Sequence, residues 1–274
     1  MMNTTEIMEL ALEMSGMDEV PGDSGIALPC DQVKKVMIGV DIDTADLFLA
    51  RELGVDLVIG HHPVTDGPAV GLYTVMKRQV ELMMRCGIPI NKAQKVLQKR
   101  IDATERGSHP KNFAKVGQAA KIMNVPLMNI HMPLDIIAEN TIQAHLDEQL
   151  NEKSTVGDVV EALKGIPEYQ GEVSSPVIRA GGAKDYAGKV FASVAGGTNG
   201  GPDVMKAYFE AGVGTLVLMH IPEDALSAVK EQGIGNIVIA GHMRSDSVGI
   251  NRFIDALEDR GVEVVAMGGV LRDE

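Results

Sequence analysis

The chain has 274 residues, of which 45% are hydrophobic and 23% charged, and its net charge at pH 7 is −13. These fractions are ordinary for a globular protein, so the composition excludes a disordered chain. The excess of acidic over basic residues excludes binding to nucleic acid or to an anionic membrane through a generally basic surface. An anionic ligand would need a metal, backbone N–H groups or a few well-placed basic side chains.

The two cysteines, Cys30 and Cys86, form no CxxC motif. This excludes a disulfide scaffold and a cysteine-ligated zinc site, and it indicates a reducing compartment. The N-terminal stretch lacks a basic start and carries acidic residues, so it does not resemble a signal peptide. Apolar runs elsewhere are far shorter than the roughly 20 residues that span a bilayer. We therefore expect a soluble, cytoplasmic protein that does not contact membranes.

In the first half of the chain, the spacing of apolar residues predicts short buried strands and amphipathic helices. The predicted elements are a helix at 5–16, a strand at 34–41, a helix at 44–53, a strand at 55–60, mostly helical segments at 74–123, a strand at 126–130 and a helix at 136–150. Two apolar strands on either side of one helix predict a βαβ unit, so these strands are expected to be parallel and covered on both faces.

In the second half, the alternation of strands and helices resumes after a stretch rich in Gly, Pro and Ser at 151–175, which predicts a linker or the outer edge of a domain. The predicted elements are a strand at 189–195, a helix at 203–211, a strand at 215–221, a helix at 223–232, a strand at 236–242, a helix ending at 260 and a strand at 262–267. These strands are apolar throughout, which is typical of parallel strands. The pattern predicts an α/β fold with two α/β lobes and mostly parallel sheets.

Histidine and aspartate recur at or directly after the ends of three predicted strands, at the sheet edge where open parallel sheets bind ligands. The residues are His61 and His62, then His131 and Asp135, then His242 and Asp246. Imidazole and carboxylate groups together are typical of a nitrogen–oxygen metal site. Each residue also has a structural alternative, because an acidic residue such as Asp135 or Asp246 is favoured at a helix start whatever its function. The combination of all three groups favours the metal site.

The motifs around these residues resemble those of the NIF-three-like dinuclear metal-centre family, whose members are often called GTP cyclohydrolase I type 2 homologues. The motifs are LVIGHHP at 57–63, HMPLD at 131–135 and GHMRSD at 241–246, and the resemblance extends from about residue 5 to residue 269. It implies a set of metal ligands, a bridging carboxylate and a histidine at or near the centre. The ligands are His61, His62, Asp135 and His242, the bridge is Asp246, and the nearby histidine is His131, with Asp246 and His131 as catalytic residues.

The resemblance also implies an architecture and an activity. It places the first lobe at 1–135 with 236–274 and the second at 136–235, with the metal site in the cleft between them. Two divalent ions, Zn, Mn or Fe(II), would supply a metal-bridging hydroxide to a hydrolase. The substrate would be a small molecule or a nucleotide, opened as in a GTP cyclohydrolase or cleaved at a phosphoester. Members are described as ring-shaped hexamers, so we expect a homo-oligomer.

The chain departs from the family pattern at one position, and this keeps a second function open. The family usually has Glu at the bridging position, whereas Asp246 is one methylene shorter. A shorter bridge would alter the spacing or the occupancy of the metals. The alternative function is therefore a metal-binding regulatory or assembly protein without turnover.

Two further features have alternative interpretations. The glycine-rich loop at 196–201 could present backbone N–H groups to a phosphate, but it lacks the GK[ST] ending of a P-loop, and a tight connection is as good an explanation. His220 lies at the end of a predicted strand and could transfer protons in the cleft, although a lone histidine is more often structural.

The net charge generates a first prediction, since non-specific affinity for DNA depends on counterion release by basic side chains. A gel-shift assay with protein below about 1 µM in roughly physiological salt is expected to show no bound DNA. A retarded band under these conditions would contradict the prediction, and loss of that band at higher salt would identify a local basic patch as the cause.

Overall fold

The computed structural model describes residues 1–272 and divides the chain into two compact units. The first unit comprises Met1–Val75, Thr104–Ile137 and the chain from Asp246 onward, and the second comprises Met76–Ala103 and Ala138–Ser245. Each unit contains one mostly parallel sheet. The predicted α/β class with two mostly parallel sheets is confirmed.

The helices and strands alternate over most of the described chain. The helices are α1 (Thr4–Ser15), α2 (Thr44–Glu52), α3 (Asp66–Val70), α4 (Leu72–Val75), α5 (Arg78–Arg85), α6 (Ile90–Ser108), α7 (Lys115–Met123), α8 (Met132–Gln149), α9 (Val156–Lys164), α10 (Pro202–Glu210), α11 (Glu223–Gln232) and α12 (His242–Glu258). The strands are β1 (Gly25–Leu28), β2 (Lys35–Gly39), β3 (Leu57–Gly60), β4 (Leu127–Asn129), β5 (Val177–Ala180), β6 (Lys189–Ala192), β7 (Val213–Leu218), β8 (Asn236–Ile239) and β9 (Glu263–Met267). Across residues 1–272, no helix combines the length and the apolar character that crossing a bilayer requires.

The sheet of the first unit has the order β1-β4-β3-β2-β9, with β1 antiparallel on one edge and the other strands parallel. β3 is buried along its whole length, and Met37, Val58 and Leu127 from neighbouring strands pack into one apolar core. In the register, Gly60 pairs with Gly39 on one side and with Asn129 on the other. The carboxyl ends of β2, β3 and β4 therefore lie side by side, and the residues that follow them are brought together.

The sheet of the second unit has the order β5-β8-β7-β6, in which β8, β7 and β6 are parallel and β5 is an antiparallel edge strand. Leu218 pairs with Ile239 at the carboxyl ends of β7 and β8. The main chain of Gly241 donates a hydrogen bond to the carbonyl of Met219, at 3.2 Å, just beyond these strands. This contact sets the place where α12 begins.

The sequence patterns missed the edge strands β1 and β5, the short helix α3 and the helix α9. β1 and β5 each have four residues, lie at sheet edges and are only partly buried, so they lack the apolar run that predicted the central strands. The stretch at 151–175 was predicted as a linker or domain edge, yet it contains α9, which begins with a capping box of Thr155 and Asp158. The linker interpretation was wrong because the Gly, Pro and Ser residues lie outside this helix, except for Gly157 in its first turn.

The observed division of the chain differs from the predicted lobes, 1–135 with 236–274 and 136–235. β8 was predicted within the first lobe but pairs with β7 in the second sheet. Met76–Ala103 also belongs to the second unit. The alternation of strands and helices predicts that a parallel strand exists, but the sheet that it joins depends on long-range pairing, which the local pattern does not encode.

Side chains of α8 close the outer edge of β6. Gln143 accepts a hydrogen bond from the N–H of Ala192 at 2.8 Å and donates to the carbonyl of Val190 at 3.4 Å. One helical turn earlier, Glu139 accepts from two amides of the loop that follows β6, at 3.1 and 2.9 Å. These side chains supply the groups that a neighbouring strand would supply, so the edge cannot pair with another chain.

This edge closure predicts the effect of a substitution. Gln143→Leu is expected to lower the free energy of unfolding by about 1–3 kcal/mol, because the buried Ala192 amide loses its partner. Gln98→Leu is the matched control, since Gln98 is exposed and its side chain donates to Asp102 in an exposed pair at 2.7 Å. Its effect is expected to stay within about 0.5 kcal/mol. Urea unfolding of both variants measures the difference, and equal losses would contradict the role of Gln143.

Candidate metal centre

Five of the six predicted site residues form one cluster in the first unit. They are His61, His62, His131, Asp135 and Asp246. The two consecutive histidines follow β3, His131 precedes α8, and Asp135 lies in the first turn of that helix. The register that aligns β3 with β4 brings these side chains together, as expected for residues that follow neighbouring parallel strands.

Each of the two carboxylates faces two imidazole rings. The Nε2 atom of His61 lies 3.3 Å from Asp135 Oδ1 and 3.7 Å from Asp246 Oδ1. Asp246 Oδ2 lies 3.5 Å from His62 Nε2, and Asp135 Oδ2 lies 3.8 Å from His131 Nε2. Asp135 and Asp246 are only 3% and 1% exposed. Two acidic groups are therefore held away from bulk water with imidazole nitrogens opposite them.

The opposite ring nitrogen of each clustered histidine is held by an acceptor. The Nδ1 contacts are His61 to the carbonyl of Ile130 at 3.1 Å, His62 to Asp41 at 2.9 Å, and His131 to Asp23 at 2.7 Å. An acceptor at Nδ1 keeps the proton on that atom and leaves the lone pair on Nε2. All three lone pairs are therefore directed at the carboxylates, as is typical of histidines that bind metal.

Asp23 and Asp41 are functional candidates that the sequence analysis missed. Asp41 follows β2, the neighbour of β3, so the rule that selected the histidines would have selected this carboxylate as well. Asp23 is fully buried and lies in the loop before β1, where its carboxylate also accepts from Ser24 Oγ at 3.3 Å. Its role depends on a pairing across 108 residues of sequence, which leaves no local signal.

The charge balance of the cluster favours a bound cation. Burial alone lowers the pKa of His61, but the charge of Asp246 and the contacts with Asp135 outweigh this effect and raise the pKa well above its ordinary value. His61 Nε2 and Asp135 Oδ1 are buried and make no hydrogen bond with the described residues. A cation would satisfy both atoms and balance the carboxylates, so the residues fit a divalent metal ion.

The ligand atoms are close enough together to share an ion. Two groups from this cluster have one ligand atom per residue, with all atoms of a group within 4.8 Å of one another: His61, His62 and His131, and His61, Asp135 and Asp246. The buried histidine and aspartate residues could therefore hold a metal ion.

The helix-cap alternative for Asp246 is wrong. α12 begins at His242, so Asp246 is one turn inside the helix, where its side chain cannot cap the first amides. The sequence pattern placed this helix start too late, because the strand prediction extended to residue 242. Asp135 does lie in the first turn of α8, where an acidic residue also interacts favourably with the helix dipole.

His242 belongs to the second unit by its contacts and is the first residue of α12. It precedes Asp246 by four residues, so both side chains lie on one face of the helix. Its ring centroid is 5.2 Å from that of His220. The two histidines that follow β7 and β8 are thus neighbours, as the strand-end rule predicts.

The glycine-rich loop at 196–201 is a tight connection. Its amides at Gly200 and Gly201 are bound by the side chains of Thr198 and Asn199, at 3.2 and 3.1 Å. Gln79 donates to carbonyl groups of the loop at 2.6 and 2.7 Å. These internal bonds favour the structural interpretation over phosphate binding.

Comparison with known proteins identifies the family. No family model matches the chain. A solved NIF3 superfamily protein from Sphaerobacter thermophilus is 36% identical, with 98% of each chain covered and a TM-score of 0.91. The chain belongs to the NIF3 superfamily. The resemblance noted in the sequence is confirmed.

Two more distant proteins match nearly the whole length of this NIF3 superfamily member. A protein from Archaeoglobus fulgidus named GTP cyclohydrolase 1 type 2 homolog is 21% identical over 269 residues, which are 96% of this chain and 97% of the relative. Reduced HcgD from Methanocaldococcus jannaschii is 18% identical, with 97% of each chain covered and a TM-score of 0.63. At this identity the second comparison shows the fold alone.

The hydrogen bonds of the histidines predict opposite tautomers at two positions of the NIF3 superfamily member. Neutral His61 is expected to carry its proton on Nδ1, because this atom faces a carbonyl group that can only accept. His145 is the matched control: its Nε2 atom lies 2.9 Å from the carbonyl of Ala162, so the proton is expected there. Nitrogen-15 NMR of the metal-free protein, at a pH above the raised pKa of His61, distinguishes the two forms. The same tautomer at both positions would contradict the geometry of the cluster.

Proposed function

We propose that the protein is a hydrolase that depends on two divalent metal ions. The proposed ligands are His61, His62, Asp135, His242 and Asp246. The observation that supports this function best is the orientation of the cluster: two buried carboxylates each face two Nε2 atoms, while the Nδ1 atoms are held from behind. Nitrogen and oxygen ligands in this ratio suit Zn, Mn or Fe(II) better than calcium.

Asp246 is the proposed bridge between the ions. Its two carboxylate oxygens face different imidazoles, His61 at 3.7 Å and His62 at 3.5 Å, which is the arrangement that a bridging carboxylate needs. His242 is proposed as a ligand because it lies one turn earlier on the same face of α12. Asp246 and His242 would therefore both contribute metal ligands from the same helix.

The protein residues supply the geometry of the proposed reaction. When bound, divalent ions provide Lewis acidity and lower the pKa of coordinated water towards neutrality. The burial of Asp135, Asp246 and His61 limits competition from bulk water. We propose His131 as a catalytic residue with Asp246, because Asp23 fixes its ring and directs Nε2 at the cluster.

The substrate class is proposed from the family relationship. The relative named GTP cyclohydrolase 1 type 2 homolog supports a nucleotide or another small molecule, opened at a ring or cleaved at a phosphoester. A cytoplasmic location and a homo-oligomer, in the form of a hexameric ring, complete the proposal. The alternative function is metal binding for regulation or assembly. It predicts bound metal without turnover of a substrate, so activity assays distinguish it from the hydrolase.

Metal analysis of Asp246 variants tests the proposed centre. Anaerobically purified wild-type protein is expected to hold about two divalent ions per chain, one of them easily lost on dialysis because Asp reaches less far than Glu. Asp246→Glu is expected to strengthen the weaker site and to raise hydrolysis, whereas Asp246→Asn abolishes the weaker site and hydrolysis. His242→Ala is expected to lose at least one ion while the fold remains intact.

Controls and substrates complete this experiment. His145→Ala removes a histidine that bonds to a main-chain carbonyl outside the cluster, so full metal content is expected in this variant. The metal-loaded proteins are then assayed with a panel of nucleotides and phosphoesters. Turnover supports the hydrolase, and bound metal without turnover supports the regulatory alternative. Equal metal content in wild type and Asp246→Asn would exclude the bridging role.

A further inference from the structure

We infer that Arg244 and Tyr169 are positioning residues, which hold the first turn of α12 by binding it to segment 168–174. This turn carries His242 and leads to Asp246, so the inference rests on the proposed metal site. It concerns side chains that are not among the proposed metal ligands. Three separate contacts support it.

The first contact is the guanidinium group of Arg244. This side chain is 6% exposed and donates to several main-chain carbonyls of one short segment. The acceptors are Glu168 at 2.6 Å, Gln170, Val173 at 2.9 Å and Ser174 at 3.1 Å. A planar group with five fixed donors can gather several carbonyls in this way, whereas the ammonium group of lysine cannot. Arg244 therefore fixes the path of the segment relative to the helix turn.

The second contact is a chain of hydroxyl groups. Ser245 Oγ donates to the carbonyl of Gly241 at 2.7 Å, so it accepts the hydrogen bond of the Tyr169 hydroxyl at 2.8 Å. Tyr169 and Ser245 are fully buried. The bond from Tyr169 therefore holds Ser245 against the carbonyl on which the first turn of α12 closes.

The third contact is a close approach of two backbones. Gly241 has φ +101°, a conformation that favours glycine, and a Cβ atom there would lie 3.0 Å from both the carbonyl oxygen and the Oγ of Ser174. Ser174 itself has φ +57° although it is not glycine. The segment is thus held in an unfavourable conformation directly against the residue that precedes His242.

Core stability alone does not explain these contacts. Apart from the buried ring of Tyr169, the segment adds little apolar surface to the core: residues 170–174 are exposed, and Val173 is 83% exposed. Burial of an arginine against neutral carbonyls also costs more than burial of an apolar side chain of similar size. What the contacts achieve is a fixed position for residues 241–245, from which His242 projects.

Cobalt(II) binding to full-length variants tests this inference. Tyr169→Phe keeps the ring and removes the hydroxyl. Arg244→Lys keeps the charge and loses the planar set of five hydrogen-bond donors. Both are expected to weaken Co(II) binding roughly tenfold to a hundredfold, as for other residues that orient metal ligands. The visible absorption spectrum of bound Co(II) is expected to shift, because the geometry of His242 changes. Hydrogen exchange of residues 242–247 in the metal-free protein is expected to become about tenfold faster.

Arg78→Lys is the matched control. Arg78 is also a mostly buried arginine of the second unit that donates to a main-chain carbonyl, that of Ala195 at 2.6 Å. A loss of stability without a change in the cobalt spectrum is expected for this variant. Unchanged exchange and an unchanged spectrum in Tyr169→Phe and Arg244→Lys would overturn the inference while the metal site stands. Absence of metal from the wild type would overturn the proposed function, and hydrogen exchange alone would then decide whether these residues hold the turn.

Discussion

The arrangement of the site depends on the burial of two carboxylates among imidazole rings. Asp135 and Asp246 are both removed from water, and an isolated buried carboxylate is strongly disfavoured. In the metal-free protein the nearby carboxylates favour the protonated form of His61, which is why the pKa of this residue is raised. A divalent ion offers greater compensation, since it binds carboxylate oxygens and imidazole nitrogens at once. The acceptors behind the rings, Asp23 and Asp41 among them, prevent the histidines from turning away.

The parallel sheet is what makes this concentration of polar groups possible. Strands β2, β3 and β4 are apolar and buried, so the first polar side chains appear where each strand ends, and the aligned register puts those ends together. The helix that follows β4 then adds Asp135 one turn beyond His131. The same logic operates in the second sheet, where His220 and His242 follow neighbouring strands. The strands supply the buried apolar surface that stabilises each sheet, and the residues immediately after them supply the polar groups of the candidate site.

The parts of this arrangement that the sequence predicted are those with local patterns. Apolar runs located the central strands, and their ends located His61, His62 and His131. The edge strands β1 and β5 were missed because they are short and half exposed, and α9 was hidden by the glycine, proline and serine residues around it. Asp23 was beyond sequence reasoning, since only the tertiary fold brings it to His131. The cap interpretation of Asp246 failed for a smaller reason, an error of a few residues in the start of α12.

For the proposed bridge, the contacts around α12 give a physical meaning to Asp246, whose side chain is shorter than the Glu that the family resemblance implies. A glutamate has an additional rotatable bond with which its carboxylate can adjust to two ions, whereas the carboxylate of Asp246 follows the main chain more closely. The position of the helix start then matters more, because a displacement of the backbone reaches the carboxylate almost undiminished. The contacts that Arg244 and Ser245 make with segment 168–174 restrict such displacement. In this chain a short carboxylate and a firmly held helix turn are therefore complementary features. The position of the Asp246 carboxylate depends more on the backbone of α12 than on the rotamer of the side chain.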